Sequence, residues 1–154
     1  PGGFNNGLAD RLDLQQMLLD QGFAWVSSKY PSYDLGRPKE PPTQEHYANI
    51  VRAQSESQPF RYPSGLVEIP MSPISDTVAF RRLFWDLEYF LRANRLAVEW
   101  AIEHRGVFDM ICHPSLMLVE DPQHETIKLI CDLVRGAGER AKIVSLDQIS
   151  VRPS

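Results

Sequence analysis

The sequence predicts an α/β fold organised around a parallel sheet or barrel. Segments with the period of an amphipathic helix alternate along the chain with short apolar segments typical of buried strands. Connections rich in glycine and proline separate most of them. At 154 residues the chain has the length of one domain and can bury a core. The alternation is typical of neither a helical bundle nor a β-sandwich.

The first two elements are a helix and a strand. Residues 8–21, LADRLDLQQMLLDQ, place Leu14, Met17 and Leu18 on one face, and the glycine that follows is suited to a left-handed cap. FAWVSS, residues 23–28, comes next and is typical of a short buried strand. A helix, a glycine and a strand in this order form half of a βαβ unit.

The middle of the chain is rich in proline. Residues 29–42 are predicted to form a loop, after which Thr43 can cap a helix that runs to about Gln54. GLVEIP, residues 65–70, is the second predicted strand. The stretch at about 29–64 is therefore interpreted as a proline-rich insertion between two strands.

A long helix and a third strand follow. The helix is predicted from about Asp86 to Glu103, and Asn94 is the only polar residue on its apolar face. VFDMICH, residues 107–113, is the third predicted strand.

The last elements are a helix, a strand and a closing turn. Asp121 is a suitable N-cap, and Pro122 suits the first helical position. AKIVS, residues 141–145, is the fourth predicted strand, and LDQI after it is predicted to form a turn of helix.

Composition argues against two classes of partner. A net charge of −4 is unsuited to a general nucleic-acid binder, and no apolar run approaches the roughly 18 residues of a membrane span. Cys112 and Cys131 have apolar neighbours and no disulfide or metal spacing, so we expect buried free thiols. The opening PGGFNNGLADRL is typical of the middle of a domain. The compartment is therefore left open, with the cytoplasm slightly favoured, and a homo-oligomer is allowed.

His113 is the strongest candidate for chemistry. In parallel α/β folds, catalytic groups collect where strands end, and His113 ends the third strand. Ser27 and Ser28 follow the first strand, and Asp76 comes shortly after the second. Imidazole transfers protons near neutral pH, and Pro114 would stiffen the turn behind it. The alternative is a structural histidine whose ring binds a neighbouring loop.

Other candidate residues have two interpretations. Trp25 is either a core residue or part of a binding pocket. Asp76 either contacts substrate or caps the segment that begins at Thr77. Asp76, Asp109 and His113 can be combined into a metal site, but no HxxH or HExxH motif supports one.

Four segments, taken in order, resemble a known family. They are PGGFNN, LDLQQMLLDQGFAWVSS, SGLVEIPMSPISD and FDMICHPSLMLVEDPQHETIKLICDLVRGAGERAKIVSLDQI. Their order and spacing are similar to the C-terminal half of polysaccharide deacetylases, the NodB-homology or carbohydrate esterase family 4 type. The closer likeness is to the branch with allantoinase-like and peptidoglycan deacetylase-like members.

This resemblance implies a fold and a mechanism. The family folds as a distorted (β/α) barrel of seven or eight strands with a divalent metal, usually zinc, at the carboxyl ends of the strands. An aspartate base activates water, and a late histidine protonates the leaving amine. His113 matches that histidine, and Ile111 and Leu116 match apolar positions near the acyl group. Pro1 matches the proline of the R-x-P motif.

The chain also departs from the family. The TFDDG-like motif with the base and the HxxxH-like motif with the metal ligands are both absent. The resemblance therefore implies the C-terminal portion of a single deacetylase domain, residues 1–154, that is inactive alone. The metal, its ligands and the N-terminal half of the barrel would lie outside this chain.

Three functions stay open at this point. The first is hydrolysis of the amide bond of an N-acetylated carbohydrate. The second is hydrolysis of a small amide by an allantoinase-like enzyme. The third is a catalytically inactive module that binds a glycan or a partner.

Overall fold

The structure is a computed structural model and describes residues 7–151. Its helices are α1 Leu12–Asp20, α2 Gln44–Glu56, α3 Leu87–Glu103, α4 Pro114–Glu120, α5 Glu125–Ala137 and α6 Leu146–Ser150. Its strands are β1 Trp25–Val26, β2 Phe60–Arg61 and β3 Val67–Glu68. A π-helical segment spans Thr77–Leu83, and a 3-10 turn spans Gly138–Arg140. In this described part of the chain no helix is both long and apolar enough to cross a bilayer.

The strands form a small mixed sheet in the order β1–β3–β2. β1 runs parallel to β3, with Trp25 opposite Val67, and β2 runs antiparallel to β3. Beyond β3, the amide of Ser72 donates to the carbonyl oxygen of Asp109 over 2.7 Å. The chain leaving β3 is therefore in contact with the segment 107–113.

The main core lies around α3, which packs against both α2 and α5. Small residues on its inner face leave room for large ones, and the rings of Phe80 and Phe90 lie 4.9 Å apart. Asn94 is buried on this face as expected, and its side chain donates to the carbonyl oxygen of Phe90 over 2.9 Å. The side-chain nitrogen of Asn94 is thus bonded within the helix, whereas its Oδ1 is buried without a hydrogen-bond partner among the described residues.

The proline-rich stretch belongs to the same packed unit. Leu35, Tyr47 and Ile50 from this stretch are all buried in the main core. α2 starts behind a capping box in which Thr43 Oγ1 accepts from the His46 amide and His46 Nδ1 accepts from the Thr43 amide. These bonds satisfy amides that a helix start otherwise leaves free, which confirms the predicted helix.

The helix after Asp121 begins later than predicted. The fully buried Asp121 carboxylate accepts from the amides of Glu125 over 2.7 Å and Thr126 over 2.8 Å. Asp121 therefore caps α5 from outside a short turn that contains Pro122. α4, directly before it, was not predicted.

The third and fourth predicted strands are not formed. Residues 107–113 and 141–145 run without turns or bends but have no strand ladder. A strand requires a neighbour on at least one side along its length, and the bond from Ser72 to Asp109 gives the first segment only one such contact. Within residues 7–151 the strands form one three-stranded sheet, and the implied barrel of seven or eight strands stays a prediction.

We predict that Asp121→Ala lowers the free energy of unfolding by about 1–2 kcal/mol, because two amides at the start of α5 lose their acceptor. Urea denaturation followed by circular dichroism measures this change. Asp132→Ala is the matched control, since Asp132 only pairs with Arg135 on the surface of the same helix. Equal stability of the two variants would show that Asp121 does not hold α5.

Candidate functional site

The candidate site is built on a carboxylate–imidazole pair. Asp76 Oδ1 lies 2.9 Å from His113 Nδ1, and Asp76 Oδ2 accepts from the His113 amide over 2.6 Å. Asp76 Oδ1 also accepts from the Thr77 amide over 2.8 Å. The Asp76 side chain is fully buried, whereas that of His113 is 52 % exposed. The pair thus consists of a buried carboxylate and a solvent-accessible imidazole ring.

Local sequence fixes the backbone of His113 from both sides. Pro114 occupies the first position of α4, where the missing amide hydrogen costs nothing. The His113 carbonyl oxygen accepts from the amides of Leu116 and Met117, whose side chains are buried in the main core. The imidazole ring is therefore attached to a backbone position that the core holds in place.

The geometry assigns the two ring nitrogens different roles. Because Asp76 is an acceptor, the nitrogen that faces it, His113 Nδ1, carries a hydrogen. His113 Nε2 has no hydrogen-bond partner among residues 7–151. A carboxylate in this position holds the ring in one orientation, which leaves Nε2 able to exchange a proton with a ligand.

A second buried carboxylate, Glu68, organises the turn after β1. It accepts from the amide and hydroxyl of Ser28, from the Lys29 amide and from the Tyr62 hydroxyl, all over 2.7–2.8 Å. Burial, opposed by the Leu8 amide and reinforced by Glu68, raises the pKa of Tyr62 to about 12. All of these donors are amides or hydroxyls, so this cluster holds the segment after β1 in place.

Asp109 connects that turn to the segment that carries His113. Ser27 Oγ donates to Asp109 Oδ2 over 2.9 Å. Burial raises the pKa of the Asp109 carboxyl, and the bond from Ser27 opposes this shift. Hydrogen bonds therefore join the segments that follow β1 and β3 to the segment 107–113, which ends at His113.

The structure separates the predicted site residues. Of the five, only Asp76 and His113 are joined through their side chains, and Leu116 is bonded to His113 through the main chain alone. Leu116 is buried in the main core, and Ile111 is half-buried on the segment before His113. Trp25 packs in a small cluster with Val67 and Ile69, and its ring nitrogen donates to Asp147.

For Asp76, the structure shows the second of the two interpretations that the sequence allowed, a cap, and adds a bond to His113. It caps the segment at Thr77, and it also binds the candidate catalytic histidine. Since it has no exposed surface, it reaches a ligand only through His113. Pro1, matched to the R-x-P motif, lies outside the described residues.

The described residues do not fit a metal centre by themselves. Across residues 7–151, no group of three or more histidine, cysteine or acidic side chains is placed to hold an ion. Asp76 and His113 Nδ1 are engaged with each other, and burial raises the pKa of the Cys112 thiol. Both cysteines are free thiols as expected, but both are half-buried and not buried.

Glu68 was missed at the sequence level, although a signal for it exists. A charged residue between Val67 and Ile69 in an apolar strand indicates a buried network. Only the structure shows that Ser28, Lys29 and Tyr62 supply the donors.

Comparisons with known protein families, with curated proteins and with solved structures find no match to this chain.

We predict that the neutral ring of His113 carries its hydrogen on Nδ1, because Asp76 accepts there. Nitrogen-15 NMR of labelled histidine at alkaline pH distinguishes the two neutral forms. Asp76→Ala should shift the ring toward the form with the hydrogen on Nε2. A wild-type ring with its hydrogen on Nε2 would contradict the assigned geometry.

We predict a loss of stability above pH 10 that depends on Tyr62. Its pKa is raised in the folded chain to about 12 from an ordinary value of about 10, so the folded state retains a proton that the unfolded state loses. The free energy of unfolding should therefore fall as pH rises from about 10 to about 12. Urea unfolding should show a smaller decrease in Tyr62→Phe, and an unchanged decrease would exclude Tyr62 as its source.

Proposed function

We propose that this chain carries the proton-donating part of the active site of a hydrolase that acts on amide C–N bonds. The favoured substrate class is an N-acetylated carbohydrate, as in the polysaccharide deacetylases that the sequence resembles. The observation that carries the proposal is the pair of a buried Asp76 and a half-exposed His113, with Nε2 turned away from its partner. This arrangement suits proton transfer at an accessible nitrogen.

Cleavage of an amide requires a proton for the leaving nitrogen, because an amide anion is too unstable to depart. A protonated His113 can donate this proton from Nε2. Asp76 keeps Nδ1 hydrogen-bonded throughout and stabilises the positive charge on the ring before donation. The role of Asp76 is therefore to position the histidine, and the transferred proton leaves from His113.

The proposal assigns the divalent metal, zinc by preference, and the base to residues outside this chain. Residues 7–151 do not fit such a centre. What the chain contributes is the acid, the buried carboxylate beneath it and the half-buried Ile111 on the segment that leads to it.

The test is the activity of the natural gene product on two substrate sets, acetylated glycan oligomers and cyclic ureides. We predict that His113→Ala lowers turnover of the glycan oligomers by about 10²–10⁴-fold, the usual effect of a general acid. His124→Ala is the matched control, since His124 is exposed at the start of α5 and should leave turnover unchanged.

Three results would overturn the proposal in different ways. Full turnover by His113→Ala would remove the acid role. Turnover of ureides alone would indicate the allantoinase-like alternative. Binding of glycan without any turnover, in a product that contains no metal, would indicate an inactive binding module.

A further inference from the structure

A second concave site lies away from His113. A groove with a volume of about 890 Å³ is lined by α3, α5, the segments 105–110 and 139–144, and Leu146 and Ile149 of α6. Its floor is made of apolar side chains from both helices, among them Ala101, Ile102, Ile130 and Val134. We propose that this groove binds an extended apolar peptide segment with acidic ends, which adds as a strand to the segment 107–110.

The main chain itself forms two walls of the groove. Six consecutive residues, 105–110, line one side, and another six, 139–144, line the other. Side chains of an extended chain point alternately to opposite faces, so an unbroken run of lining residues exposes backbone to the groove. Residues 107–110 and 141–144 run there without a turn or bend.

The free hydrogen-bonding groups of one wall point into the groove. The Asp109 carbonyl oxygen accepts from Ser72, so the backbone groups of Asp109 face the sheet. Since these groups alternate along an extended chain, those of Phe108 and Met110 face the opposite side, where the groove lies. Neither amide has a partner within the described residues.

The opposite wall also has amides without a partner. Those of Lys142, Ile143 and Val144 have no hydrogen-bond acceptor among residues 7–151, and because amides alternate along an extended chain, at least one of them faces the groove. A lipid in the groove would cover the amides that face it without satisfying them, at a cost for each buried group. A peptide strand satisfies the groups that face it and also places alternate side chains on the apolar floor.

Charge indicates what the ends of the peptide carry. Three cationic residues line the groove, Arg105, Arg140 and Lys142, against the acidic residues Asp109 and Glu139. No ion pair within 4.0 Å engages any of the three cations in the described part of the chain. In a chain with a net charge of −4, this local excess of positive charge favours an acidic partner.

The experiment uses a short labelled peptide with alternating valine and threonine between paired glutamates, added to the full 154-residue chain. Fluorescence anisotropy measures its affinity. The same peptide with N-methyl groups at alternate residues keeps its side chains but loses donors. We expect it to bind about tenfold more weakly or worse, because strand pairing loses more than one hydrogen bond. Hydrogen exchange should show the Phe108 and Met110 amides open in the free chain and protected in the complex.

Two variants separate backbone pairing from apolar contact and charge. Met110→Pro removes an amide that faces the groove and should reduce affinity about tenfold, whereas Met110→Leu should retain it. The double variant Arg140→Glu and Lys142→Glu should prefer a matched peptide with lysine ends.

Any of three results would overturn the proposal. They are equal affinity for the N-methylated peptide, protection of Phe108 and Met110 without peptide, and binding of oleate with no binding of the peptide. The second would show that the two segments pair with each other, and the third that the groove is a lipid site.

Discussion

The buried carboxylate of Asp76 is the constraint on which the candidate site depends. Its two oxygens accept three hydrogens, from the Thr77 amide, the His113 amide and the His113 ring. One side chain thereby joins the π-helical segment to the start of α4, 37 residues later in the chain. A buried carboxyl group without such bonds would be costly, because it leaves water without gaining partners. The position of the histidine ring is thus part of the stability of the fold.

A comparison of Asp76 with Glu68 shows why only one of two buried carboxylates is suited to chemistry. Both are fully buried, and each accepts several hydrogen bonds. Glu68 receives amides and hydroxyls, none of which exchanges a proton near neutral pH. Asp76 receives an imidazole, which does, and that ring reaches the surface. Similar electrostatics therefore produce a structural cluster in one place and a reactive pair in the other.

The parts of the fold that were predicted correctly are those with local causes. α2 follows from the cap at Thr43, and α3 follows from a stripe with a single polar member, Asn94. The segments 107–113 and 141–145 have the composition of strands, but a ladder depends on neighbours that no local pattern contains. The start of the π-helical segment was predicted through its cap at Asp76, but its form was not, because its seven residues repeat too few times to show a period. For the site, the end of a strand pattern indicated His113, whereas its partnership with Asp76 required the fold.

The segment 107–113 connects the candidate site to the groove. Within it, the carbonyl oxygen of Asp109 accepts from the Ser72 amide. The segment ends at His113, whose amide and ring are bound to Asp76. Phe108 and Met110 line the groove, and their amides have no hydrogen-bond partner in the part of the chain described. A strand that pairs with these amides would reduce the freedom of the same segment that holds the histidine. Occupation of the groove would then favour the ring position that Asp76 already selects, because both contacts restrict one short piece of backbone.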